Sequence, residues 1–462
     1  MAYDRLRALD ASFLHLESPR QPMHVGSLAL FEGAALFGAD GRFRLDDARR
    51  RVLARLERVP RFRQRVMTVP FGQGRPVWVD DERFDIAYHV RLTALPAPGD
   101  EAQLKALAGR IQSQMLDRSR PLWELWFVEG VAGGRVALIQ KTHHALIDGI
   151  SGVDVASVLL DVDPAAPDEE PPPWQARPAP NAAALLARSL VERATQPAEV
   201  VRSVRAAFRW PAAVAGRAVA VGRALGALGR TVPRLPFNTR VGPHRRIELV
   251  RVPLADAKAI RRASGATVND VVVAAVSGAI RRYLHAHGID PGGLRVRALI
   301  PVSVRAESER LALGNRVAAM IAELPVGIAD PAERLRAVCG ELASLKASGE
   351  ALGAESIIAL ADFAPPTLVA LAARLLPHQR WVNLVVTNVP GPQFPLYFMG
   401  ARLLEAFPYV GVIDNLALIV AVLSYDGQLG FALCADADAV RDLEVLSEAL
   451  DKSFAELRAA VA

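Results

Sequence analysis

Cysteine is almost absent: Cys339 and Cys434 are the only two in 462 residues, and each stands alone. Neither a CxxC metal site nor a disulfide framework can be drawn from them, which leads us to expect a reducing, cytoplasmic setting. Long apolar runs are also missing. The longest, residues 271–276 and 416–423, fall far short of the roughly 18 residues needed to cross a bilayer, so no membrane span is expected. The N-terminus, MAYDRLRALDASFLHLESP, lacks the apolar core and small-residue cleavage site of a secretory signal, and export is not expected.

What is present suits a large packed protein. Apolar residues make up 51% and charged residues 23%, a balance that excludes disorder as the main state. The length implies two or three domains at about 150 residues each. The formal charge of +6 is unevenly spread. Residues 181–246 contain twelve arginines, no lysine and only Glu192 and Glu199, so this stretch carries +10 and the remainder −4. Within it Val201, Val204 and Phe208 recur at helical spacing, with Arg202, Arg205 and Arg209 each one residue later. That pattern reads as a basic amphipathic helix. Such a helix can lie in a membrane interface with arginines on anionic headgroups, or serve as an interdomain connector, and the two roles are compatible. Nucleic acid is not expected as a partner, because no stacking aromatics, zinc spacing or recognition-helix pattern accompanies the arginines.

The periodicities describe an α/β protein in two halves. Strand-like runs at 26–31, 123–129 and 136–142 alternate with helical patterns at 45–58 and 101–116. The segment DVDPAAPDEEPPPWQARPAP then marks a linker, since its prolines hold neither helix nor strand. The α/β pattern restarts with strand-like 247–252, helices at 254–263 and 268–285, and later strands at 382–387, 416–425 and 429–435. We therefore expect a first domain over 1–161, a linker and basic connector over 162–246, and a second domain over 247–462. A cleft between the halves would let two substrates meet.

The chemistry concentrates in RVALIQKTHHALIDGISGVDVASVLL. Residues 136–139 read as a buried strand, Thr142-His143-His144 as its end and Asp148-Gly149 as a turn. Two histidines thus sit at a strand terminus facing a loop, a place where rigid elements hold reactive groups. A metal site is not expected, because neighbouring strand residues point to opposite faces and no third ligand is apparent. One histidine should face the cleft and the other the core. Ser151 lacks a GxSxG elbow, so no serine nucleophile is expected.

The HHxxxDG spacing, filled by His143, His144, Asp148 and Gly149, resembles the signature of acyltransferases built like chloramphenicol acetyltransferase, including peptide-synthetase condensation domains. Further segments resemble one branch, the bacterial wax ester synthase/diacylglycerol acyltransferase family: LDASFLHLE, PLWELWFVEG, SGATVNDVVVAAVSGAIRRYL, PVSVR, GNRVAAMIAELPV and NLVVTNVPGPQFPLYFMGARL. They span nearly the whole chain in order.

The resemblance implies two chloramphenicol-acetyltransferase-like domains around a cleft or tunnel. It also implies transfer of a fatty acyl group from acyl-CoA to the hydroxyl of a diacylglycerol or long-chain alcohol, giving triacylglycerol or wax ester. A thioester is already activated, so a general base of ordinary pKa about 6.5 suffices to take the alcohol proton. By this resemblance His144 is the base, His143 orients the loop, and Asp148 fixes it through an arginine, Arg63 or else Arg305. Gly149 gives room for the entering arm. Asn269 is either structural or, by this resemblance, donates to the thioester oxygen or positions the histidine, and Asp270 is more readily an N-cap partner than a substrate contact. Pro121, Leu122 and Trp123 either shape the acyl wall or are ordinary core strand. No cofactor or metal is implied, acyl-CoA being a substrate. The expected location is the inner membrane face or lipid inclusions, held peripherally. Same-fold transfer to an amine or carrier-tethered group, and an idle lipid-binding protein, are the competing functions.

Overall fold

Strand pairing divides the chain into two six-stranded sheets and a small two-stranded one. The computed structural model describes residues 3–146, 158–192, 231–303, 317–348 and 379–461. The N-terminal lobe begins with helix α1 (Ala8–Leu16), strand β1 (His24–Glu32) and helix α2 (Leu45–Arg55). A two-stranded hairpin, β2 (Gln64–Met67) and β3 (Val77–Asp80), precedes the short helix α3 (Ile86–His89), strand β4 (Val90–Ala94) and helix α4 (Glu101–Ser113). Asp100 and Gln103 form a reciprocal capping box that starts α4. Strands β5 (Trp123–Val131) and β6 (Arg135–His143) then form the hairpin at the heart of the first sheet.

The second lobe opens with β7 (Arg245–Pro253), α5 (Leu254–Ser264) and α6 (Val268–Ala286). It continues through β8 (Val296–Ser303), β9 (Val317–Leu324), α7 (Pro331–Ser348) and β10 (Leu384–Pro390). Strands β11 (Tyr397–Phe398), β12 (Ala401–Val410), β13 (Leu418–Tyr425) and β14 (Gln428–Asp436) lead into the closing helix α8 (Leu443–Val461). Gly265, with φ +72°, ends α5 in the left-handed conformation that lets the chain turn into α6. Helix α6 is apolar nearly all round because it is buried among α7, α8 and the second sheet. No single described helix is long and apolar enough to cross a membrane.

One expectation needs correction. Strands β11 and β12 do not join the second sheet. The first sheet runs β11-β12-β1-β6-β5-β4, with β12 antiparallel to β1. The C-terminal half therefore lends strands to the first lobe, and 247–462 is not one self-contained domain. The alternation of apolar and polar residues at 401–410 is compatible with either sheet; only pairing decides it.

The proline-rich segment holds neither helix nor strand over 162–181, yet it is fixed in place. Asp161 pairs its backbone with Tyr397 in both directions, and its carboxylate takes Arg51 at 2.6 Å and also Arg55, both nearly fully buried. Farther on, Arg177 pairs with Asp80 at 3.1 Å, and Leu185 is buried against Val69, Val77 and Val79. Proline excludes regular structure here without excluding fixed contacts.

The lobes share a core. Leu28 and Ile139 of the first sheet, Leu104 and Ile111 of α4, and Ile247 and Ile419 of the second sheet belong to one apolar cluster. Helix α4 lies so close to β7 that a Cβ on Gly109 would sit 2.5 Å from the Arg245 carbonyl oxygen, so only glycine fits there.

Candidate active site

Strand β6 alternates between two interiors. Val136 and Leu138 belong to the first-lobe core and Ala137 and Ile139 to the interlobe cluster, so Lys141 and His143 continue the interlobe face. The strand ends at His143, and residues 144–146 wind into a single 3₁₀ turn. The His144 amide donates to the Met23 carbonyl at 2.8 Å, and the His143 Nδ1 accepts the Ala145 N–H at 3.0 Å. That second bond makes Nδ1 the unprotonated nitrogen, so His143 Nε2 carries the hydrogen. His143 is fully buried.

His144 is half-buried, and its ring stacks on Phe13 of α1 with centroids 3.9 Å apart. Burial, followed by the neighbouring His143, pushes its pKa down to about 4. At neutral pH the imidazole is therefore unprotonated, the form that can accept a proton.

A carboxylate beneath the pair went unread in the sequence. Glu17 follows α1, and its side chain is 1% exposed. Its Oε1 lies 3.5 Å from both His143 Nε2 and His24 Nε2, while Oε2 takes Arg118 Nε at 2.9 Å and Nη2 at 2.7 Å. At 3.5 Å the histidine contacts are too long for well-formed hydrogen bonds. Burial alone would raise the Glu17 carboxyl, but His143, His24 and Arg118 outweigh it and hold the group well below the usual carboxylate range. His24 opposes His143 directly across β1 and β6, and burial pushes its pKa down to about 4. Lys141, almost fully buried and 3.8 Å from Glu124, is lowered by burial to about 8.

No sequence periodicity ties residue 17 to residue 143. The i, i+4 placement of Phe13 and Glu17 at the end of a helix was the available signal, and it becomes informative only once β1 is known to pair with β6.

The other expected residues fall in three places. Asp148, Gly149, Ser151 and Arg305 lie outside the described residues, as do Arg202, Arg205 and Arg209. Arg63 is buried, donates to the Leu53 carbonyl at 3.0 Å and places its guanidinium 5.1 Å from the Trp174 ring centre. Asn269 meets the second lobe's NVPGP segment, with Asn388 Nδ2 donating to its Oδ1 at 3.3 Å.

Asp270 and the PLW segment both make structural contacts. Asp270 completes a capping box, its Oδ2 accepting the Thr267 N–H at 2.8 Å while Thr267 Oγ1 accepts the Asp270 N–H at 3.1 Å. Pro121, Leu122 and Trp123 are all buried. The Trp123 ring is stacked on His89 at 4.4 Å, packed against Phe62, and bonded through Nε1 to the Phe62 carbonyl at 2.7 Å. A ring so enclosed supports the sheet.

Two like-built lobes with a histidine pair at the end of an inner strand define the two-lobed acyltransferase class. The first condensation domain of the CDA synthetase shares the fold, at TM-score 0.58 and 16% identity over 100% of this chain and 97% of that one. Within that class, the wax ester synthase/diacylglycerol acyltransferase catalytic domain matches residues 6–272, and the WS/DGAT C-terminal domain matches 313–458. The chain belongs to the wax ester synthase/diacylglycerol acyltransferase family and is an O-acyltransferase. It is 35% identical to a putative diacylglycerol O-acyltransferase of Mycobacterium tuberculosis over 99% of this chain and 90% of that one. A probable diacylglycerol O-acyltransferase of the same species is 34% identical, over 98% and 96%. The wax ester synthase/diacylglycerol acyltransferase from Marinobacter aquaeolei VT8 superposes with TM-score 0.69 at 28% identity, covering 99% of each chain.

Proposed function

We propose that this protein moves a fatty acyl group from acyl-CoA to the hydroxyl of a diacylglycerol or long-chain alcohol, with His144 as general base. One observation carries the assignment of the base: the His144 imidazole stands where β6 ends, held by Phe13 and by a backbone bond to Met23. In the proposed reaction His144 accepts the hydroxyl proton as the oxygen attacks the thioester carbonyl carbon. The tetrahedral intermediate then expels the CoA thiolate, which takes the proton back from the imidazolium. The ester and free CoA leave, and no covalent acyl-enzyme or cofactor is needed. His143, with Glu17 behind it, fixes the loop on which His144 sits. Because a diacylglycerol stays in its bilayer, the enzyme works at a lipid surface, peripherally bound on the cytoplasmic side.

The test offers purified protein labelled palmitoyl-CoA with diacylglycerol, hexadecanol, a long-chain amine or a carrier-bound acceptor. Ester from the first two, and little product from the others, supports the reading. A lowered base pKa also sets the acid limb of kcat/KM near pH 4 in place of 6.5. Product only from the amine or carrier would overturn it.

A further inference from the structure

One corner of the first lobe combines exposed apolar side chains with an excess of positive charge. The β2–β3 hairpin ends in a turn at Pro70–Gly72, where Phe71 is 86% exposed with φ +57°. Bulky residues rarely adopt that left-handed conformation, and here it holds an aromatic ring out in solvent. The hairpin is anchored at its base, where Val69, Val77 and Val79 bury Leu185 of the helical residues 182–192. Arg5 ties the corner together, its guanidinium donating to the Arg75 carbonyl and to Ser189 Oγ, both at 2.8 Å. Leu190 and Val191, the residues after Ser189, are 48% and 64% exposed. Three of the seven large apolar residues exposed among the described residues therefore gather here.

The charge of this corner selects what could cover it. Segments 3–7, 61–80 and 177–192 hold eight arginines, no lysine and three carboxylates, Asp4, Asp80 and Glu192. Asp80 pairs with Arg177, Asp4 with Arg61, and Glu192 with Arg5 and Arg188, and Arg63 is buried, which still leaves more arginines than carboxylates at the corner. From Glu192 the sequence runs on into 193–230, which carries seven arginines and one glutamate.

We propose that this corner docks on an anionic lipid surface, with the Phe71 hairpin tip as its apolar wedge. The ring enters the headgroup boundary beside Leu190, while the surrounding guanidiniums meet lipid phosphates. The inference deepens the lipid-acceptor reading above and rests on it: the corner brings the acyltransferase to the bilayer that holds its acceptor.

The experiment floats the full-length chain with phosphatidylcholine vesicles, with and without phosphatidylglycerol. The wild type is expected to float with the anionic vesicles. Phe71→Ser should lower the partition coefficient about tenfold and Phe71→Leu should restore most of it, without change in melting temperature. With Phe71→Ser, turnover of vesicle-borne diacylglycerol should fall in step, while turnover of a water-soluble alcohol with the same acyl-CoA stays at the wild-type rate. Flotation of Phe71→Ser equal to the wild type, or equal capture by neutral vesicles, would overturn the proposal. So would a concentration-dependent dimer abolished by Phe71→Ser, which would assign the corner to a second copy of the chain. Failure of the wild type to acylate either acceptor would sink the acyl-transfer reading alone, since flotation is read without turnover.

Discussion

The two lobes wind four strands in the same way and load the same position with different chemistry. In the first, β1-β6-β5-β4 pair antiparallel, antiparallel and parallel; in the second, β7-β14-β13-β10 repeat that order and those directions. The first residue of β1 opposes the last of β6, and that pair is His24 and His143. At the matching place in the second lobe stand Arg245 and Asp436, a buried ion pair at 3.2 Å. Asp436 also accepts the backbone N–H groups of Gly242, Asp438 and Ala439, at 2.8, 3.1 and 3.0 Å. One lobe closes the strand end with complementary charges and a carboxylate bonded to three backbone N–H groups, with Arg245 Nε alone lacking a partner among the described residues. The other leaves both His24 ring nitrogens and His143 Nε2 without a well-formed hydrogen bond among the described residues. The fold provides the position, and the side chains decide whether it is a lock or a reactive site.

That contrast can be broken most sharply at His144. His144→Ala should lower turnover by about 10² to 10⁴ while the protein stays folded, the range removal of a general base produces; equal turnover would leave the first lobe with no chemical advantage over the second. Asp436→Ala should do the reverse. Stranding Arg245 as a buried unpaired cation costs about 3 to 5 kcal/mol, measured as a lowered urea midpoint. If that variant is as stable as the wild type, the second lobe's strand end is not the lock described here. Glu17→Gln lies between the two. It keeps the shape but removes the charge facing His143, His24 and Arg118, and kcat should fall about tenfold through misplacement of the His144 loop. Unchanged kcat and pH profile would show that the loop is held without the carboxylate.

Much of this was legible in the sequence because it is local. The alternation in 136–142 and the turn signals around it placed β6, and the HHxxxDG spacing placed the chemistry at its end. What escaped was whatever depends on pairing between distant segments. Glu17 and His24 become site residues only through the β1–β6 register. Strand β12 reaches the first sheet only by crossing between lobes. The capping role of Asp270 was readable, since Thr267 and Asp270 have capping-box spacing. The enclosure of Trp123 was not, because an aromatic in an apolar strand looks the same whether it faces a ligand or another ring.

The last expected effect follows from where buried histidines lie. Among the described residues the fully buried ones, His24, His89 and His143, all belong to the first lobe. Burial pushes His24 and His89 down to about 4 in the folded protein, and the unfolded chain keeps the ordinary 6.5. Between those values the unfolded state binds more protons, so stability is intact above pH 6.5 and declines as the pH falls toward 4. Each histidine contributes a slope of up to about 1.4 kcal/mol per pH unit in that window. The lowered Glu17 acts in a separate window, since its contribution is present above the ordinary carboxylate pKa and is lost only below it. Amide hydrogen exchange, corrected for intrinsic rates, should therefore show β1, β5 and β6 losing protection between pH 6.5 and 4 before β7, β13 and β14. If both sheets lose protection together across that range, the shared core couples the lobes too tightly for their different strand ends to act independently.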